Sequence, residues 1–120
     1  FCNDENFANA ILAAGVTTQD QLWRLPLWHG YKKSIEGKTA DLTNAPESGF
    51  GGAITAALFL QEFLAGKSTD KNAQKITAAI PWAHIDLMAW NLSSKPGRPE
   101  GGEAMSMRAL FSAIAQLYSR

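Results

Sequence analysis

His84 and Asp86 stand two apart in the run PWAHIDLMAWN at residues 81–91. On an extended strand both side chains would share one face, with Cβ atoms ~7 Å apart. An imidazole and a carboxylate so placed can hold a metal ion together, or the carboxylate can orient the ring. A metal site needs a third donor, and the only other histidine is His29, close to Pro26. Two hydrogen-bonded buried polar groups are the simpler reading. The loop Gly97-Arg98-Pro99-Glu100-Gly101-Gly102 is rich in glycine but lacks the G-x-x-x-x-G-K-[ST] spacing of a phosphate cradle. Its Arg98 is expected in ion pairs at the surface. Gly51-Gly52 ahead of a helix could face an anion, although helix packing is the commoner use of such glycines. Trp23, Trp28, Trp82 and Trp90 have no basic patch interleaved with them, which favours core or interface burial over base stacking. Ser34, Ser48 and Ser106 lie in no G-x-S-x-G elbow. Cys2 has no histidine near it and reads as a small buried residue. Residue types alone assemble no complete catalytic constellation.

The elements that would position these residues centre on residues 49–66, GFGGAITAALFLQEFLAG. Residues 53–64 carry only three polar side chains, Thr55, Gln61 and Glu62, and Thr55 and Glu62 fall on one stripe of a helix. A helix apolar around most of its circumference is expected to be buried, and this one is too short to cross a bilayer. It therefore asks for layers on both sides, with Gly66 as its stop. The alternating run at residues 81–91 predicts a strand covered on both faces, to serve as one such layer. A last helix over residues 104–118, with Met107, Leu110, Phe111, Ile114 and Leu117 at helical spacing, is the expected neighbour.

Elsewhere, residues 5–14 predict a helix stopped by Gly15, and Thr17-Thr18-Gln19-Asp20 offers a second cap. Pro26 forbids a continuous helix through residues 22–28, so a short turn and an extended segment are expected to press Trp23 and Trp28 inward. Residues 31–35 predict a short helix closed near Gly37, residues 39–44 a short strand, and residues 45–49 a loop. Residues 67–75 read as a solvated turn and residues 92–103 as a Ser/Pro/Gly loop. Strands separated by helices suggest an α/β layer fold. Two or three strands cannot cover this much apolar helix, so a larger sheet or association is expected.

The 120 residues amount to about one domain. Eleven basic and eleven acidic residues cancel, so no global field favours nucleic acid or an acidic membrane. One cysteine excludes an internal disulfide and a cysteine-rich zinc site. No membrane span or basic-then-apolar leader is visible, and the chain starts at Phe1.

Five stretches in register carry a resemblance. They are Leu22-Trp23-Arg24-Leu25-Pro26-Leu27 with Tyr31, Ala40-Asp41-Leu42-Thr43-Asn44, the run from Gly51 through Leu60, Trp82-Ala83-His84-Ile85-Asp86, and Gly97-Arg98-Pro99. Together they resemble the carboxy-terminal part of the leucyl aminopeptidases, peptidase family M17, over nearly the whole chain. The resemblance implies a segment (residues 1–120) of the C-terminal portion of a three-layer α/β/α sandwich with a mixed sheet. It also implies a parent enzyme with two divalent metal ions, zinc or manganese, that removes N-terminal residues, leucine preferred, from peptide substrates. That parent is expected to be cytoplasmic and hexameric, with no membrane partner and no nucleic-acid partner. The family's metals sit on a lysine, three aspartates and a glutamate, two of them in an N-T-D-A-E-G-R motif. That motif is absent here, so this segment is expected to bind no metal and to be inactive alone. Its expected contributions are scaffold, oligomer contacts and part of the substrate pocket.

For the pocket, the positions matching the family's side-chain site are Leu87, Met88 and Ala89. This chain departs there from the commoner D-I-A-G form. Leu87 and Met88 suit a leucine-like side chain and suit a core equally. The competing reading is a non-catalytic α/β module that acts in self-association.

Overall fold

The computed structural model describes residues 1–64 and 80–119. The expected solvated turn at residues 67–75 and the Gly66 stop lie outside the described residues. Those described form α1 (Glu5–Thr17), a 3₁₀ helix (His29–Ile35), α2 (Gly52–Gln61), β1 (Trp90–Asn91), β2 (Gly101–Gly102) and α3 (Met107–Tyr118). Two compact units result: Phe1–Asp4 with Leu25–His84, and Glu5–Arg24 with Ile85–Arg120.

In the first unit α2 packs on the 3₁₀ helix. The helix begins at Gly51, whose positive φ of 69° suits a residue without a Cβ. Its carbonyl accepts from the Ile54 and Thr55 amides, both at 3.0 Å, and the Tyr31 ring lies 3.5 Å from where a Cβ would sit. Ile35 and Leu58 are 1 % and 2 % exposed; burial of each side chain contributes roughly 2 kcal/mol. Lys32 reaches Glu62 at 2.6 Å across the helix end.

The apolar cylinder is only partly covered. Thr55, Ala57 and Leu58 are its buried residues, whereas Leu60 is 45 % and Phe63 65 % exposed. Thr55, a polar residue, is buried because its hydroxyl donates back to the Gly52 carbonyl at 3.0 Å. The helical residues that close this unit were legible, but their layers were not. Among the described residues the partner of α2 is the 3₁₀ helix, and α3 packs on α1 instead.

The strand expected at residues 39–44 is a single antiparallel bridge, Glu36 to Leu42. Gly37 makes that tight return possible, since a Cβ there would overlap the Ala40 carbonyl. The long strand expected at residues 81–91 also shrinks. Residues 82–84 pair with the first residues of the chain through Asn3 N to Trp82 O at 3.2 Å and His84 N to Phe1 O at 2.9 Å. After that the backbone leaves the ladder until β1. Alternating side chains are necessary for a half-covered strand, but a ladder also needs a partner backbone, which alternation does not report. Trp23 and Trp28 correct the sequence reading outright: they are 88 % and 59 % exposed. Apolar type does not ensure burial where no facing element is at hand.

In the second unit α1 and α3 meet over small residues. Ala14, Ala109 and Ala113 are fully buried, with Ala8, Ile11 and Gly15 beside them. Short side chains at such a seam let two helices approach closely. Gly15 does not stop α1. It lies inside the helix, where a Cβ would come 3.0 Å from the Asp20 carbonyl oxygen. The stop comes four residues later. Gln19 takes φ 53°, its amide donates to Val16 O at 3.3 Å, and the Asp20 amide donates to Gly15 O at 2.9 Å. This is a Schellman ending with Gln19 at the position glycine usually fills.

Candidate functional site

Asp20 then turns away from its own neighbourhood in sequence. It is 4 % exposed, and its carboxylate accepts from the Ser106 amide at 3.0 Å, the Arg108 amide at 3.0 Å and the Ala109 amide at 3.2 Å. These are first-turn donors of α3 that have no partner inside the helix. Ser106, at the N-cap position itself, has φ 64° and makes no side-chain cap bond. The cap is supplied from α1's exit. Burial pushes the Asp20 carboxyl up, but the amides of Ser106, Ala109 and Arg108, with the Arg108 charge, outweigh it and hold the group below its usual range.

Next to this cap lies a polar cluster built around Glu103. Its Oε1 accepts from Arg108 at 2.9 Å and from Arg98 at 3.4 Å, and its Oε2 accepts from Asn91 Nδ2 at 2.9 Å. Its side chain is 10 % exposed. The Arg108 hydrogen bond foremost, then the one from Asn91, holds the Glu103 carboxyl below its ordinary range against some desolvation. Asn91 also donates to the Pro99 carbonyl at 3.1 Å, and Arg98 donates to the Gln19 carbonyl at 2.8 Å. The expected ion pairing of Arg98 is therefore present. Arg98 itself is placed by a turn in which Lys95 and Arg98 exchange backbone bonds of 2.8 and 2.9 Å. Pro96 and Gly97, the latter at φ 72°, suit the two corners of a type II turn.

Leu87, Met88 and Ala89 lead directly into this cluster. The ladder pairs Trp90 with Gly102 and Asn91 with Gly101, and the Glu103 amide donates to the Ala89 carbonyl at 3.0 Å. Ala89 has φ 55°, a conformation that side-chain-bearing residues take only when their surroundings impose it. Leu87 is 42 % and Met88 58 % exposed, so these side chains face outward from a fixed backbone.

His84 and Asp86 do not converge with a third donor: among the described residues no three His, Cys, Asp or Glu side chains gather where they could hold a metal ion. His84 instead stacks beside Trp82, ring centroids 6.3 Å apart, and near Phe1 at 6.1 Å. A cavity of about 550 Å³ opens in the first unit, lined by Lys33, Ser34, Lys38, Leu42, Thr43 and Glu47 among others. Of the two lysines in its lining, Lys38 is matched by Glu47 at 2.8 Å. Leu87, Met88 and Ala89 are not in its lining. No helix among the described residues is long and apolar enough to cross a membrane.

Asp20, Asn91 and Glu103 were missed as organising residues. Asp20 lies 86 residues from Ser106, and Glu103 is five residues from Arg108, outside the helical spacings that betray a side-chain pair.

The catalytic-domain model of the cytosol aminopeptidase family, peptidase M17, matches residues 1–111. The probable cytosol aminopeptidase of Ehrlichia ruminantium is 35 % identical over 98 % of this chain and 22 % of its own length. That of Caulobacter vibrioides is 36 % identical with the same coverage, 98 % and 22 %. The chain thus spans about a fifth of the curated relatives it matches. Among solved structures, cytosol aminopeptidase from Coxiella burnetii superposes with a TM-score of 0.81 at 47 % identity, over 98 % of this chain and 23 % of that one. The bottromycin maturation enzyme BotP, in complex with Mn, gives 0.81 at 30 % identity over 98 % and 24 %. These likenesses agree with the α/β class expected from the sequence. The chain belongs to the cytosol aminopeptidase family, and it matches that family within the catalytic domain.

Proposed function

We propose that this chain is part of a metal-dependent aminopeptidase that removes N-terminal residues from peptides, leucine among those preferred. The family match over residues 1–111 carries the reading. Within it, Leu87, Met88 and Ala89 line the pocket for the substrate's first side chain. What supports that role is the pairing of two outward-facing apolar side chains with a backbone held in an unusual conformation. Pockets for apolar groups have this character, apolar walls on a fixed frame.

Two divalent ions, zinc or manganese, would polarise the scissile carbonyl and activate water in such an enzyme. The described residues of this chain do not form a donor set for them, so no step through the ions is assigned to its side chains. The chain's part is to position. The whole enzyme is expected to act in the cytoplasm as a homo-oligomer, a hexamer, with no membrane or nucleic-acid partner.

The test is hydrolysis of leucine p-nitroanilide by the full-length gene product that carries this chain. Activity that a chelator removes and zinc or manganese restores supports the reading. A well-folded, metal-loaded product that cleaves no aminoacyl amide sinks it.

A second reading, self-association without catalysis, draws on α3. Met107, Phe111, Ile114 and Tyr118 recur at helical spacing and are 57 %, 76 %, 50 % and 79 % exposed. Sedimentation of the chain separates the two uses of that face: a well-behaved monomer at high concentration argues against it as a self-associating surface.

A further inference from the structure

Ala89 must be held in its left-handed conformation by something, and a ladder of two residues is too short to do so alone. Beyond that ladder, Glu103 supplies holding groups from both its main chain and its side chain. Its amide donates to the Ala89 carbonyl at 3.0 Å, while its carboxylate takes the Asn91 amide of β1 at 2.9 Å. The same carboxylate is fixed from behind by Arg108 at 2.9 Å and Arg98 at 3.4 Å. Arg108 sits in the first turn of α3, whose amides are capped by Asp20. Arg98 is tied to the carbonyl of Gln19, the residue that ends α1. One residue therefore connects the end of the Leu87–Ala89 segment to the C-terminus of one helix and the N-terminus of another, its main chain holding Ala89 and its side chain holding Asn91, Arg98 and Arg108. All its side-chain partners are donors, so an ionised carboxylate is the group that satisfies them.

We propose that Glu103 is the positioning residue of the substrate pocket: by clamping Ala89 and Asn91 to the ends of α1 and α3, it sets which N-terminal side chains the enzyme accepts. This rests on the reading of Leu87, Met88 and Ala89 as pocket residues. Glu103 touches neither substrate nor reacting atoms; it acts by fixing the depth at which Leu87 and Met88 stand. Loosening it blurs the distinction between a large and a small substrate side chain. A difference of that kind falls mainly on KM for the larger substrate.

The experiment compares kcat/KM for leucine and alanine p-nitroanilides in the full-length enzyme and in its Glu103→Ala, Glu103→Gln and Met88→Ala variants. Glu103→Ala is expected to lower the leucine-over-alanine ratio about tenfold, the scale of a mis-sized apolar pocket, through KM more than kcat. Glu103→Gln keeps the shape but turns an NH₂ toward donors, so it shifts the ratio the same way by less. If Glu103→Ala does not accumulate folded, Glu103→Gln carries the test. Met88→Ala reads the pocket itself. A ratio moved by Met88→Ala yet unmoved in the Glu103 variants overturns the positioning role and leaves the pocket standing. A ratio unmoved by Met88→Ala overturns the pocket reading and this role with it.

Discussion

The seam of α1 with α3 and the packing of α2 on the 3₁₀ helix solve the same problem with opposite materials. α2 is apolar on most of its surface, yet its buried residues are Thr55, Ala57 and Leu58. The α1–α3 seam is made of alanine and glycine with Ile11, and two carboxylates bind the first turn of α3. Hydrophobic content alone would rank α2 as the better-anchored helix. The difference teaches that anchoring depends on what each surface meets. Alanines at a close seam bury all of their small area, and a buried carboxylate satisfies several amides at once. A large apolar helix with one short partner among the described residues leaves Leu60, and Phe63 just past its end, facing outward.

Breaking the cap should have the largest effect. Asp20→Ala leaves three first-turn amides of α3 without their acceptor, and unfolding in urea is expected to show a loss of about 3 kcal/mol. Leu58→Ala tests the other side. Leu58 is 2 % exposed, and its truncation is expected to cost about 2 kcal/mol, the low end for such a change, because α2 packs on one short helix among the described residues. A Leu58→Ala cost well above that of Asp20→Ala would reverse the ranking of the two regions.

Acid should separate them too. The Asp20 and Glu103 carboxyls are both held below their ordinary values. Folding therefore gains from their ionised forms above the usual carboxylate range of about pH 4, and loses that gain as pH falls through their depressed values. Amide exchange in α3 should accelerate there before exchange in α2 does. Simultaneous loss in both helices would contradict the assignment.

The smallest effect is expected at the surface. Arg24 grips Glu5 with bonds of 2.7 and 2.6 Å, but the Glu5 side chain is 75 % exposed. Arg24→Ala should leave the thermal unfolding midpoint almost unchanged, because a solvent-screened pair contributes little.

Periodicity made the helices legible. α1, α2, α3 and the short helix after Trp28 all stand near where apolar spacing put them. What it hid was how they end and what they meet. Gly15 looked like a stop and is a close-approach residue, because a chain-terminating αL position can fall on Gln19 when the carbonyls behind it are satisfied. Asp20 looked like a local cap and serves a helix on the far side of the sequence. The alternation of residues 81–91 reported two faces but could not report partner strands. Leu87 and Met88 were open between pocket and core, and within this chain they stand 42 % and 58 % exposed. Glu103 left no local trace, since its partners Asn91, Arg98 and Arg108 are gathered by a turn and a helix start.

The central proposal is that this chain positions a catalytic site whose metal donors are not among its described residues. Zinc bound per 120-residue chain after equilibrium dialysis tests that most directly. The expected result is well below one ion per chain, with no release of p-nitroaniline from the leucine substrate. One or more tightly held ions per chain, lost in Asp86→Ala, would contradict it.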